Sequence, residues 1–435
     1  MSFVRAAMWR GVARDTRFRA AHACKMRPYN SKLEAYCCHI TPAPSDHDAC
    51  FEDDVAVTMP PVIQRETPRM ILRRALEQNT LAFGTLLYAV FGMALLWSFG
   101  ETPARWIGSL TVAFSTFFLL AGLIAPLWVY PLIFAPVLAI FGGLRRRLWT
   151  QKIQILSAMV YCTIFTLTFS LIKGHLTEIV PFWADSALTQ LDLALHFGTN
   201  PRDVLGWMSV FNGNDLSRFY LNSWVFFATY FPVLLLVVDD NAHRRRVFTV
   251  LWMACWVILG NVIAVMFMSA GPIFADLVAT GTMRDHHGVL ALLNDPEGAR
   301  LLMIKQNLWA AYSGQSEMLG AGISAFPSVH VGMASVLALY VARRGVDFAQ
   351  GPAIHAALAR GVVIATRSVA ILYVLIYLVL SVYLGWHYAV DGYMSIAVIC
   401  GLYGLGGLRA GVLRRVAAPF MQEQPVSARS SQPSP

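Results

Sequence analysis

The chain has 435 residues, of which 57% are hydrophobic and only 14% are charged, and its mean hydropathy is +0.54. Soluble globular domains of this length are less apolar, so the composition predicts an integral membrane protein. The net charge of +9 comes from short Lys and Arg clusters between apolar runs. This pattern is typical of cytoplasmic loops in membrane proteins and argues against a nucleic-acid partner.

The two ends of the chain are polar. Residues 1–75 are rich in Arg and lack sustained periodicity, which predicts a disordered N-terminal extension. The cysteines and histidines between residues 37 and 50 could bind a metal ion, but adjacent cysteines seldom point at one ion, so we predict no metal site there. Residues 411–435 are expected to form a flexible C-terminal tail.

Between these ends lie apolar runs of about 20 residues, the length that a helix needs to cross a bilayer. Only helices satisfy their backbone groups within one segment, so the fold class predicted is an all-α, polytopic membrane helical bundle. Residues 150–410 form a predicted six-span core, and residues 76–145 add two or three N-terminal spans. The predicted spans lie near 81–99, 107–143 (one broken span or two short ones), 153–173, 219–238, 247–268, 328–342, 368–385 and 388–408.

The basic clusters orient these predicted spans, because cytoplasmic loops carry an excess of Lys and Arg. An alternating topology places every cluster of the core inside, and it leaves the loops 174–218 and 269–327 and the turn 385–388 outside. Two histidine motifs therefore arrive at the same, non-cytoplasmic face. The clusters are Arg145 to Arg147, Arg244 to Arg246, Arg343 and Arg344 with Arg360 and Arg367, and Arg414 with Arg415.

The second of these motifs contains a histidine and a carboxylate at the start of the last apolar run. His387 and Asp391 are four positions apart, so on a helix they share one face and the carboxylate can reach the imidazole. Such an Asp fixes the histidine tautomer and stabilises the cation that forms when the ring attacks a substrate. The spacing therefore predicts that Asp391 orients His387 and raises the basicity of its other ring nitrogen.

The first motif, Phe-Pro-Ser-Val-His at 326–330, ends at the head of another predicted span. Pro327 fits a first helical turn, and Ser328 is suited to cap it. Free N–H groups and the helix dipole at such an N-terminus favour an anion, so Ser328 and its backbone are candidates for binding a phosphate. Either His330 or His387 alone could be an ordinary interface residue, but their convergence with Asp391 at one face predicts an active site.

These motifs resemble signatures of the type 2 phosphatidic acid phosphatase superfamily. Pro327 to His330 looks like its second signature, and Val382 to Asp391 looks like its third. The longer strings 322–330 and 385–392 are most similar to the branch that contains fungal inositol phosphorylceramide synthase. The resemblance implies His387 as the nucleophile that forms a phosphohistidine, Asp391 as its partner and His330 as the general acid. It implies no metal and no cofactor.

The chain departs from the superfamily pattern in its cations. Ser381 stands where the third signature has Arg, and the first signature, a Lys followed after six residues by Arg-Pro, is absent. Lys173 precedes Val180-Pro181 at that spacing, but we expect it in the wrong loop. Loss of these cations suits a phosphodiester, which carries less charge than a monoester. In the loop 269–327, Lys305 is the candidate that we select to bind the substrate phosphate, beside Arg284 and Arg300.

We therefore predict a membrane enzyme that transfers or hydrolyses phospho-headgroups of lipids, similar to an inositolphosphotransferase. Its partners would be a lipid phosphate or phospholipid and the bilayer. A lipid phosphate phosphatase is the alternative if water resolves the intermediate. A proton-coupled transporter is the alternative from another class, although its ionisable residues would be expected nearer the bilayer midplane. A metal-dependent hydrolase that uses His330, His387 and Asp391 as ligands is a third.

Overall fold

The computed structural model describes residues 79–112 except 103 and 105, 148–316 except 279, 322–351 and 355–422. This part of the chain is 81% helical and has no strand, as the predicted all-α bundle requires. The longer helices are α1 (Thr80–Ser98), α2 (Lys152–Gly174), α3 (Asp185–Leu195), α4 (Gly213–Val238), α5 (Ala242–Met266, with a π-helical stretch at Cys255–Ile263), α6 (His287–Leu293), α7 (Ala299–Tyr312), α8 (Val329–Ala349), α9 (Ala356–Tyr383) and α10 (Ala389–Gln422). Short helical turns occupy Leu176–Ile179, Pro201–Val204, Gly206–Val210, Pro272–Phe274, Thr280–His286 and Pro296–Gly298.

Five of the described helical segments are long and apolar enough to cross a membrane, and they confirm an integral membrane protein. Helix α4 is a sixth if its two halves, which are bent by 45°, form one broken span. Within the second half, Tyr230 has non-helical backbone angles two residues before Pro232, because a proline inside a helix removes a hydrogen bond and clashes with the preceding turn. The five segments are Thr80–Ser98, Lys152–Ile179, Ala242–Met266, Ala356–Tyr383 and Ala389–Gly406.

Helix α8 differs from its prediction as a span at 328–342. It extends to Ala349, and it is less apolar than the five helices that can cross a membrane. Its first half is almost entirely buried against α5, α9 and α10. Gly332, for example, faces Leu259 so closely that an added Cβ would lie 2.4 Å from the leucine side chain. A helix that is surrounded by other helices can carry small and polar residues, because packing replaces contact with lipid.

Other boundaries also shift. Helix α9 begins at Ala356 rather than near 368, so Arg360 and Arg367 lie within the helix, with their side chains exposed. Long basic side chains at the end of a span can extend towards the interface, which makes these positions compatible with a membrane helix. Helix α10 continues to Gln422, beyond residue 411 where a tail was predicted. The predictions for 1–75, for most of 107–143 and for residues after 422 fall outside the described residues, and the domain boundaries stay predictions.

Three loops meet at the end of the bundle where α8 and α10 begin. The Ala325 N–H donates to the carbonyl of Ser269 at 2.8 Å, and the Ile273 N–H donates to the carbonyl of Gly385 at 2.8 Å. The backbone of Ser328, which precedes α8, donates to the carbonyl of Asp391 at 3.3 Å. These bonds bring the two histidine motifs together at one end of the bundle.

The opposite end of α8 carries an ion-pair cluster. Arg244, at the start of α5, binds Asp239 through two nitrogens and also contacts Asp347 near the end of α8. Arg343 adds a contact to Asp347 at 2.9 Å. Asp347 lies about 25 Å along the helix from His330 at 1.5 Å per residue, so the basic cluster and the histidine motifs mark opposite ends of α8.

Candidate active site

His387 lies two residues before α10, in the turn that follows Gly385. Its Nδ1 is 2.8 Å from the carbonyl oxygen of Ala325 and 3.2 Å from Oδ2 of Asp391. A carbonyl oxygen can only accept, so Nδ1 carries the proton and Nε2 keeps its lone pair. From the sequence we expected Asp391 alone to fix this tautomer. In the structure the carbonyl oxygen of Ala325 is the nearer acceptor.

Asp391 is fully buried in the first turn of α10. Its Oδ2 accepts a second hydrogen bond, from the backbone N–H of Tyr388 at 3.0 Å. Its Oδ1 has no hydrogen-bond partner within the described part of the chain. The predicted contact between His387 and Asp391 is thus observed, although the histidine precedes the helix rather than lying on it.

The surroundings of His387 favour its neutral form. Burial lowers the pKa of His387 to about 3, and the positive charge of Lys173 acts in the same direction. The hydrogen bond to the carbonyl of Ala325 opposes this shift but does not cancel it. At neutral pH the ring is therefore uncharged, which is the state that a nitrogen nucleophile requires.

His330 is the second residue of α8, and its ring centroid lies 5.8 Å from that of His387, with the two ring planes inclined by 60°. The two histidines are thus neighbours, as the sequence predicted.

Lys173, in the last turn of α2, lies near enough to both histidines to influence their charge. Its ammonium acts electrostatically on His330 and on His387. An added Cβ on Gly322 would lie 2.3 Å from the Lys173 carbonyl oxygen, so the loop that leads to α8 packs directly on this turn. Among the residues described, Lys173 forms no ion pair, which leaves its charge available. Lys173 does not lie in the loop expected for the first signature, but the loop that follows it and the loop that leads to α8 meet at the same end of the bundle.

Two buried carboxylates on α3 hold the backbone around His387. Asp192 accepts hydrogen bonds from the N–H groups of Ala389 and Val390, at 2.8 and 2.9 Å, and so caps α10. Asp185, two turns earlier, accepts one from the Tyr388 hydroxyl at 2.9 Å. It also binds the N–H groups of residues 270 and 271, at 2.8 to 3.0 Å. Both carboxylates therefore fix the segment between His387 and Asp391.

The sequence of this region also matches a known family. A family model described as the PAP2 superfamily matches residues 186–405, which is half of the chain and includes His330, His387 and Asp391. This chain belongs to the PAP2 superfamily. Members are phosphatases or phosphotransferases, which makes this PAP2 protein a phosphatase- or phosphotransferase-type lipid enzyme and gives no support to a transporter. Comparison with curated proteins and with solved structures gave no match.

The other two predicted phosphate ligands of this PAP2 protein have structural partners. The hydroxyl of Ser328, fully buried, accepts the N–H of Val331 at 3.3 Å and caps α8 as predicted. Lys305 is buried, and its ammonium binds both carboxylate oxygens of Asp276, at 2.6 and 2.7 Å. Because Asp276 already neutralises it, this geometry favours a structural role for Lys305 over the predicted contact with substrate.

The metal-dependent alternative requires His330, His387 and Asp391 to converge on one ion. Within the part of the chain that is described, no group of three or more His, Cys, Asp or Glu residues has the geometry of a metal site. The Nδ1 atom of His387 faces Ala325 and Asp391, so this nitrogen is occupied by hydrogen bonds. A chelator experiment distinguishes the two chemistries directly.

Sequence reasoning missed Lys173, Asp185 and Asp192. For Lys173 a signal was present, because it precedes Val180-Pro181 at the spacing of the superfamily's first signature. Nothing local in the sequence indicates that Asp185 and Asp192 reach the turn at residues 388–390, because these contacts join positions about 200 residues apart.

Proposed function

We propose that this PAP2 protein transfers the phosphoryl or phospho-headgroup of a lipid phosphoester through a phosphohistidine at His387. The observation that carries the proposal is the hydrogen bond from Nδ1 of His387 to the Ala325 carbonyl, because it leaves Nε2 unprotonated beside His330. The family match supports the class of reaction, and the geometry around His387 supports the choice of nucleophile.

In the first step, the Nε2 lone pair of His387 attacks phosphorus in line with the leaving alcohol. The P–N bond forms as the P–O bond breaks, and the proton of His330 goes to the departing oxygen. In the second step, water or a second alcohol attacks the phosphohistidine. Its proton returns to His330 while the P–N bond breaks and His387 is regenerated.

Charge on the phosphoryl oxygens requires donors that are already in place, and these are usually the largest contribution to such catalysis. Lys173 supplies the cation, and its electrostatic influence on both histidines supports this role. The N-terminus of α8, capped by Ser328, supplies backbone N–H groups and the positive end of a helix dipole. Asp391 stabilises the positive charge that His387 gains when it attacks.

We infer that a second alcohol, rather than water, resolves the intermediate, as in an inositolphosphotransferase. The third signature has Ser381 in place of its Arg, and Lys305 is paired with Asp276, so the site offers one cation where the phosphatases have more. A phosphodiester headgroup, which carries a single negative charge, suits such a site. A lipid phosphate phosphatase is the outcome if water is the acceptor.

We also propose that the site faces the non-cytoplasmic side. The cluster formed by Arg244, Arg343 and Asp347 lies at the far end of α8 from His330. Because basic residues near span ends remain in the cytoplasm, this arrangement supports the predicted orientation.

The test is an activity assay of purified wild type and His387→Ala in detergent, with chelator present. The panel is phosphatidic acid and phosphatidylinositol, each with and without a ceramide or diacylglycerol acceptor. We expect turnover that survives the chelator and is lost in His387→Ala, with the product distinguishing transfer from hydrolysis. Full activity in His387→Ala, or turnover that the chelator abolishes, would contradict the proposal.

A further inference from the structure

Two aromatic rings from α4 stack on His330. The ring centroid of Trp224 lies 4.0 Å from that of the imidazole with the planes inclined by 29°, and that of Tyr220 lies 4.6 Å away at 19°. Tyr220 and Trp224 are four positions apart, so they project from one face of α4. We call this pair the aromatic clamp. It restricts the imidazole to one plane at the start of α8.

As far as the structure describes the surroundings of His330, only the aromatic clamp can stabilise a positive charge on its ring. Within the described part of the chain, no carboxylate pairs with its ring and no hydrogen bond to its nitrogens is observed. Burial disfavours a cation at His330, and the positive forms of His387 and Lys173 act in the same direction. Tyr220 faces the ring as part of the clamp. A general acid must nevertheless be protonated before it can give its proton to a leaving alcohol.

We propose that Trp224 and Tyr220 are positioning residues that stabilise the protonated form of His330 against the effect of burial and align it for proton transfer to the leaving alcohol. The proposal rests on the proposed function, since it assigns His330 as the general acid. The electron-rich faces of Trp and Tyr attract a cation, and the attraction is strongest where water is excluded. The clamp thus orients His330 and stabilises its positive charge through π electrons. For His387, hydrogen bonds to Asp391 and to the Ala325 carbonyl serve this purpose.

The test is the pH dependence of kcat for wild type, Trp224→Leu and Trp224→Phe. The substrate is phosphatidic acid or, if the wild type prefers it, phosphatidylinositol with ceramide. At alkaline pH the general acid loses its proton, so kcat falls along an alkaline limb of the pH profile. If this limb is absent from the profile of His330→Ala, it is assigned to His330. Trp224 is only partly buried, which makes it the milder of the two clamp positions to change. Phe keeps an aromatic face and Leu removes it.

We expect the alkaline limb of Trp224→Leu to move to lower pH by about one unit, which corresponds to a roughly tenfold loss of kcat above the limb. Trp224→Phe should show a smaller shift in the same direction, and it serves as the test variant if Trp224→Leu does not fold. If kcat falls equally at every pH and the alkaline limb does not shift, the clamp contributes only packing and the proposal is overturned. Failure of the proposed function is distinguishable, because it shows as an inactive wild type or a fully active His387→Ala.

Discussion

His387 determines how the activity should respond to acid. Burial and the charge of Lys173 lower its pKa to about 3, well below the ordinary value of 6.5. A nucleophile must be unprotonated, so its activity is lost only as the pH falls through the folded-state pKa. We expect kcat/KM of the purified protein to show no loss centred near 6.5 and to decline only below about pH 5. An acidic limb at the ordinary histidine value would show that His387 is not held in its neutral form.

Lys173 is the cation that the structure adds to the predicted site. Replacing it with Met should lower kcat/KM roughly 100-fold, the usual cost of losing one donor to a developing negative charge. Because the Lys173 charge helps to lower the pKa of His387, the same change should move the acidic limb to higher pH. Lys173→Arg, the matched control, keeps the charge and should keep most of the activity. Wild-type kcat/KM in Lys173→Met would remove this residue from the site.

At the scale of elements, helix α3 acts as a brace for the turn that carries His387. Asp192→Ala leaves the buried N–H groups of Ala389 and Val390 without an acceptor, and this should cost about 1–3 kcal/mol of stability. We expect a lower thermal unfolding midpoint together with a lower kcat, because His387 and Asp391 lose their fixed spacing. Asp192→Asn, which retains one acceptor oxygen, should be intermediate in both. If Asp192→Ala has the unfolding midpoint and the kcat of the wild type, α3 does not stabilise the turn that carries His387.

The elements also show what a sequence can predict. The helix at 81–99 was predicted to within one residue, and the His387–Asp391 pair was identified, because apolar length and local spacing are visible in the chain. Helix α8 was predicted as an ordinary span, and its enclosure by α5, α9 and α10 could not be seen. The closeness of Lys173 to the histidines and the aromatic clamp were missed for the same reason. Each depends on contacts between distant segments, which periodicity does not encode.

At the scale of the whole molecule, the bundle separates its charges. The ion pairs around Arg244 lie at one end of α8, and His330 and the loops that hold His387 lie at the other. A membrane enzyme with this arrangement presents its site to one compartment only. The distribution of basic residues predicts that this compartment is the non-cytoplasmic one.

This orientation can be measured with single cysteines in a chain whose native cysteines have been replaced. Ser313, in the loop that follows α7, and Gln350, at the end of α8, are both exposed. In intact cells a membrane-impermeant maleimide should label Ser313→Cys and leave Gln350→Cys unlabelled until the membrane is permeabilised. The reverse pattern would place the site in the cytoplasm.

The most direct measurement is identification of the phosphorylated residue during turnover. Wild-type protein would be quenched in base within a single turnover of substrate and its peptides analysed by mass spectrometry, with His387→Ala treated in parallel. We predict an acid-labile phosphate on the peptide that contains His387, absent from the variant. Turnover in the wild type with no phosphohistidine, or with phosphate on another residue, would contradict the central role of His387.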